Sequence, residues 1–200
     1  MKAGLFPGQG AHSPKMFDEI KHTKVFMEIH DHVNNKYSID LLSCSKEKTL
    51  FNSNIISSLA TFITSTSSYN LYGQSNQLRA YCGYSIGQYT AMYHAGMLPL
   101  DVVIDLIFKR AELMNDALKN ISTGMLAVIG LAEETIIELC EKINTSNNQI
   151  QISNFNCYGQ YTLSGNLNAI DSIANSLEKL GAKKVLKLNV EGAWHCKLLK

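Results

Sequence analysis

The residues best placed to do chemistry are Gly83-Tyr84-Ser85-Ile86-Gly87. A serine flanked at two residues' distance by glycines becomes an acyl-accepting nucleophile when a strand leads into the turn and a helix leaves it. Leu78 to Cys82 reads as such a strand, and a helix is predicted to follow through Tyr93. Both glycines are needed, because side chains there would collide with the neighbouring helix and strand. The turn would lift the Ser85 hydroxyl out of the sheet to the positive end of the helix, where the Ile86 N–H is a natural oxyanion donor. Loops rich in Gly and Ser also give this pattern by chance, so the flanking strand and helix carry the inference. A second donor is suggested by Pro7-Gly8-Gln9-Gly10, a turn that would expose the Gln9 amide at a sheet's carboxyl edge.

A serine nucleophile needs a base. His195, in Gly192-Ala193-Trp194-His195, is the candidate, although a lone late histidine is more often structural. Asp101, Asp105, Asp116 and Asp171 exist, but none is placed as an obvious third member, so a Ser–His dyad is expected rather than a triad. Arg110 beside Lys109 reads, on sequence alone, as an exposed helix arginine. His30 and His32 flank Asp31 and raise metal binding. Two histidines at i and i+2 diverge on a helix, however, and a solvated helix face is the better reading. The five cysteines (Cys44, Cys82, Cys140, Cys157, Cys196) are scattered without a CxxC pair and read as reduced thiols, several of them in the core.

Two hundred residues with 46% apolar and 18% charged side chains suit one soluble domain, or one with a small insert. A net charge of +1 without basic clusters gives no footprint for nucleic acid or an anionic membrane. No apolar run is long enough to span a bilayer, Pro7 and Gly8 interrupt any signal-peptide core, and a cytoplasmic protein is expected. Lys2 to Phe6 should be a strand, Pro14 to about Val33 a helix, and 34–52 a polar, loop-rich stretch. A helix should start at Ser53 or Asn54 and run towards Tyr72, ending at Gly73. Another, from Pro99 or Leu100 to Leu118, should carry Val102, Val103, Leu106, Ile107, Leu113 and Met114 as its apolar stripe. From Gly124 the order is strand (125–131), helix (133–143), strand (149–154), strand (161–164), helix (167–180), strand (184–190). That is the split βαββαβ unit, read as an inserted subdomain.

Taken together these segments resemble the malonyl-CoA:acyl carrier protein transacylase family, which includes the acyltransferases of polyketide synthases. The resemblance is carried by Phe6-Pro7-Gly8-Gln9-Gly10, by Gly83 to Tyr89, and by Arg110 with Met114. Gly124 to Leu131, Asn154-Phe155-Asn156 with Gly159-Gln160, and His195 complete it, in the family's order over nearly the whole chain. It implies an α/β fold: an α/β-hydrolase-like core over 1–123, an inserted ferredoxin-like subdomain over 124–190, and a return to the core over 191–200. Members continue well past the position of His195, so the C-terminal part of the family fold is expected to be missing. The resemblance further implies acyl transfer from coenzyme A to Ser85, then to the phosphopantetheine thiol of an acyl carrier protein, in fatty acid, polyketide or antibiotic biosynthesis. Malonyl-CoA and the carrier protein are the expected partners, with no nucleic acid or membrane, and a monomer is expected. No bound cofactor or metal is implied; the coenzyme A thioester is a substrate.

By the same resemblance His195 is the base, the amides of Gln9 and Ile86 form the oxyanion hole, and Arg110 pairs with the malonyl carboxylate. Asn156, with Asn154, would lie on an asparagine-bearing strand near the site, though a polar turn is the plainer reading. Tyr84 stands where the family usually has His, Gln88 where it has Glu, and Trp194 where a smaller residue or Phe precedes the histidine. Tyr84 and Trp194 are therefore expected to shape the acyl pocket. Two alternatives stand beside acyl transfer: a hydrolase that uses Ser85 and His195 with water to clear acyl groups from carrier proteins, and, if the truncation is native, a non-catalytic carrier-binding module.

Overall fold

The computed structural model describes residues 2–47, 53–73 and 78–200. Its backbone divides into two compact units, Met1–Glu112 and Leu113–Lys200. Residues 48–52 of the stretch expected to be loop-rich, and 74–77, lie outside the described residues.

In the first unit β1 (Lys2–Phe6) and β2 (Leu78–Gly83) pair in parallel, with Phe6 opposite Gly83 at their carboxyl ends. One face of this ribbon, holding Ala3, Leu5, Ala80 and Cys82, is exposed, and Leu5 is 78% accessible. Around the other face run α1 (Lys24–Tyr37), α2 (Leu41–Lys46), α3 (Asn54–Ser68), α4 (Gly87–His94) and most of α5 (Leu100–Leu118). Their core gathers Phe17, Phe26, Leu59, Phe62, Ile86 and Ile104.

The expected helix from Pro14 to Val33 begins ten residues later and ends later. Residues 13–23 are instead a run of tight turns, in which the amides of Met16, Asp18 and Ile20 bond three residues back. Thr23 then caps α1, its hydroxyl accepting from the Phe26 amide, and Ser38 closes it in the left-handed region at φ 56°. The loop-rich stretch holds α2, started by Asp40, whose carboxylate accepts from the amides of Leu42 and Ser43. On α3 the cap is Ser53 rather than Asn54, and the helix passes into a π-helical turn at Tyr69–Gly73. Along α5 the buried positions are Val103, Ile104, Ile107, Ala111, Met114 and Leu118, a helical stripe. Val102, Leu106 and Leu113, expected in that stripe, are exposed.

The second unit contains β3 (Thr123–Ile129), α6 (Glu133–Ile143), β4 (Ile150–Cys157), β5 (Gln160–Asn166), α7 (Leu167–Lys179) and β6 (Lys184–Lys187). The strands lie in the order β4-β5-β3-β6 with every neighbouring pair antiparallel, which is the ferredoxin-like arrangement of a βαββαβ chain. Leu126, Val128, Leu163, Ile136, Ile170 and Ile173 fill the space between sheet and helices. A smaller core forms around Trp194, with Met114, Leu118 and Met125. Among the described residues no helix is long and apolar enough to cross a membrane.

Two smaller expectations change. His30 is a buried group rather than part of a solvated face: it stacks on Phe26 and lies 3.2 Å from the Asp40 carboxylate, while His32 turns towards Asp105. Of the five thiols only Cys140 is in the core, where burial pushes it up to about 11.

Candidate active site

Where β2 ends, Ser85 takes a left-handed backbone conformation at φ 51°, one that serine seldom adopts. The surrounding glycines make that turn possible. A Cβ on Gly83 would sit 2.1 Å from the carbonyl carbon of Gly87, and one on Gly87 would sit 2.3 Å from the carbonyl oxygen of Phe6. Helix α4 starts within the turn, the amides of Gly87, Gln88 and Tyr89 bonding back to the carbonyls of Tyr84, Ser85 and Ile86. Ile86 itself is buried as the N-cap, and its amide has no backbone acceptor among the described residues. The carboxyl ends of the two strands meet here, since the Tyr84 amide donates to the Phe6 carbonyl at 3.0 Å.

The Pro7–Gly10 turn therefore runs alongside the serine. Tyr84 lies over it, its ring carbon only 2.7 Å from where a Gly8 Cβ would be, and half of its surface stays exposed. Burial of the remainder raises the Tyr84 phenol above its usual range. The Gln9 amide has no backbone acceptor among the described residues, while its side chain turns away and donates to Ser57 and Ser58 on α3. His12 reinforces the same turn, its Nε2 lying 3.1 Å from the Ser57 carbonyl.

Arg110 departs from the plain reading of an exposed arginine. Its neighbour Lys109 points to solvent and pairs with Glu112. Arg110 is half-buried, and its Nη1 is fully covered with no hydrogen-bond partner among the described residues. Desolvation lowers the guanidinium from its ordinary value, opposed by the phenol of Tyr89 one turn beyond Ser85. A covered guanidinium nitrogen without a hydrogen-bond partner is costly.

In the second unit His195 is exposed and also left-handed, at φ 58°. Beneath it Trp194 is 6% exposed, an anchor of the small core, so its indole is a packing group there. Gly192 lets the chain pass close to that ring, 2.7 Å from a would-be Cβ. The Ala193 amide donates to the Thr123 hydroxyl, tying the histidine segment to β3. Asn154 and Asn156 lie on β4 rather than in a polar turn, and the Asn156 amide group donates to Thr162 at 3.2 Å. Asp105 is engaged by Lys36 and Tyr37, and Asp171 by Lys187. Sequence reasoning missed the polar residues of α3 behind Gln9. Their signal was present as Asn54, Ser57, Ser58 and Thr61, an i, i+3, i+4, i+7 stripe of polar groups along the first two turns of the helix.

No protein-family model matches the chain. Among curated proteins, the malonyl CoA-acyl carrier protein transacylase of Bacillus subtilis is 28% identical over 99% of this chain and 64% of its own length. The enzyme of the same name from Staphylococcus aureus is 33% identical over 59% of this chain. Among solved structures, the acyl-carrier-protein S-malonyltransferase of Burkholderia pseudomallei matches 100% of this chain and 66% of its own, at 26% identity and a TM-score of 0.87. A malonyl-transacylase solved with its type II polyketide-synthase acyl carrier protein matches 98% of this chain and 65% of its own, at 25% identity and a TM-score of 0.87. The chain thus spans a little under two thirds of the Bacillus relative and of the two solved structures, and its match to the Staphylococcus enzyme covers 38% of that protein. The likeness runs from end to end in both sequence and fold, and what this chain is similar to is the malonyl-CoA:acyl carrier protein transacylases.

Proposed function

We propose that Ser85 accepts a malonyl group from malonyl-CoA and delivers it to the phosphopantetheine thiol of an acyl carrier protein. Ser85 Oγ attacks the thioester carbonyl as its proton passes to His195, and the amides of Gln9 and Ile86 receive the oxyanion. The carbon–sulfur bond breaks, and the coenzyme A thiolate leaves with the proton from the imidazolium. In the second half the carrier thiol gives its proton to His195 and attacks the ester; the carbon–oxygen bond breaks and Ser85 recovers its proton. Each oxyanion donor is worth on the order of 3 kcal/mol in comparable hydrolases.

The observation that carries this reading is the Ser85 turn: a serine at φ 51° between two glycines that no other residue could replace. Arg110 supports the malonyl group, because its covered Nη1 suits a carboxylate and would be a burden to a site for plain acyl chains. Asp105 and Asp171 are taken up by other partners, in keeping with a dyad. Tyr84, lying on the Gly8 turn, is assigned to the pocket wall, Trp194 to support of the His195 segment, and Asn156 to the substrate side of β4. The solved relative that holds its carrier protein supports the same acceptor here. The cytoplasm is the compartment where such a reaction would run.

The test is single-turnover labelling with radioactive malonyl-CoA and acetyl-CoA. Malonyl label should appear on Ser85, be lost in Ser85→Ala, and move to an added carrier protein. Arg110→Ala should lose malonyl loading by about tenfold or more relative to acetyl loading, the scale of one charge-assisted contact. Label from neither donor, or label that survives Ser85→Ala, would overturn the proposal.

A further inference from the structure

Behind the Gln9 turn lies a partly buried polar constellation that the proposed chemistry does not by itself require. The two N–H groups of Gln9 Nε2 are shared among four acceptors: Ser58 Oγ at 2.7 Å, Ser57 Oγ at 2.8 Å, Asn54 Oδ1 at 3.2 Å and the Asn54 carbonyl at 3.3 Å. His12 Nε2 lies 3.0 Å from Thr61 Oγ1 on the next turn of α3. Asn54 is 3% exposed and faces two ways. Its Oδ1 meets Gln9, and its Nδ2 donates at 3.3 Å to the carbonyl of Ala111, the residue after Arg110.

Packing alone does not call for these groups. A leucine at 54 would fill a similar volume without the cost of desolvating an amide, and a buried amide is tolerated only when both its ends are satisfied. The carboxamide is also planar and rigid, so a bond on each edge fixes the distance between its two partners. One partner is the turn whose amide is assigned to the oxyanion. The other is the turn of α5 that carries the covered guanidinium.

We infer that Asn54 is a positioning residue that ties the Gln9 turn to the Arg110 turn, so that oxyanion donor and carboxylate partner are held in register. The inference rests on the roles proposed above for Gln9, Ser85 and Arg110. Asn54 touches neither substrate nor reacting atoms in this scheme; it acts through the two residues it joins. Ser57, Ser58, His12 and Thr61 brace only the Gln9 side.

Two variants separate the arms. Asn54→Leu removes both bonds, whereas Ser58→Ala removes one on the Gln9 side alone. The readouts are single-turnover acylation from malonyl-CoA and acetyl-CoA, and amide hydrogen exchange at Gln9–Gly10 and around Ala111. Asn54→Leu should slow both acylations about tenfold, a modest share of what an ångström of misplacement costs. It should also lower the malonyl-to-acetyl preference and speed exchange at both ends. Ser58→Ala should slow both acylations with the preference unchanged. If Asn54→Leu does not fold, Asn54→Asp keeps the acceptor for Gln9 and removes the donor to Ala111; it should lower the preference and leave Gln9–Gly10 exchange as in the parent. Parent-like exchange at both ends in Asn54→Leu, or a parent-like preference, would overturn the inference. If the parent chain takes no label from either donor, the reading of Ser85 falls, and exchange at the two turns still decides whether Asn54 ties them together.

Discussion

At Ser85 the chain holds a serine in a conformation that glycine would take more readily, and it does so by removing side chains on both sides. The Gly83 and Gly87 sites are closed by backbone atoms at 2.1–2.3 Å rather than by flexible side-chain ends, so neither can yield. Gly87→Ala should therefore separate the strand ends at Phe6 and lose several kcal/mol of stability, in the class of severe backbone and overpacking changes. A melting curve close to the parent's would show that the turn adapts. The GxSxG pattern made this site legible from sequence, because only backbone sterics are involved and both glycines lie within two residues of the serine. Arg110 was half legible. Its neighbour Lys109 gave no hint that one cation faces Glu112 in solvent while the next is covered, since helical phase decides that and phase depends on which stripe of α5 is buried.

Elements explain the rest of the comparison. A helix with a clean amphipathic stripe and acidic residues in its first turn was readable, as in Glu133–Ile143, where the expected limits coincide with those of α6. Residues 13–23 were not, since Met16 and Ile20 recur at helical spacing while the backbone bonds three residues back and stops at Thr23. A periodicity of four apolar positions does not distinguish a helix from successive tight turns over so short a span. The end of α4 was also opaque. His94 there stacks on Phe6, at 5.3 Å, and meets the tilted ring of Tyr69, at 4.3 Å, with its Nε2 buried and unpartnered among the described residues. Burial holds this imidazole neutral, with its pKa lowered to about 4. Because the folded value lies below the unfolded one, its contribution to stability is complete above about pH 6.5 and is lost as the pH falls towards 4. His12, lowered for the same reason, adds in the same direction. Denaturant midpoints of the parent should drop between pH 6.5 and 4, and His94→Phe, which keeps the stacking, should flatten that slope. An unchanged slope would place the acid sensitivity elsewhere.

On the scale of the molecule, each unit has its own core, and the two follow different rules of legibility. The βαββαβ unit was readable from its order of strands and helices, because local alternation dictates an antiparallel sheet with two crossovers. The first unit was less so: its two strands are separated by more than seventy residues, and sequence patterns do not report such distant pairing. The left-handed serine also has a thermodynamic meaning for the whole protein. A non-glycine residue at such a φ stores about 1–2 kcal/mol, and a glycine there costs about 0.5–1 kcal/mol in chain entropy. Ser85→Gly should then melt a few degrees higher than the parent while accepting no acyl group. If Ser85 is the nucleophile proposed above, selection for a sturdier chain and selection for a reactive one pull in opposite directions at this single residue, and a stabilised variant pool screened without an activity readout would be expected to discard this serine first.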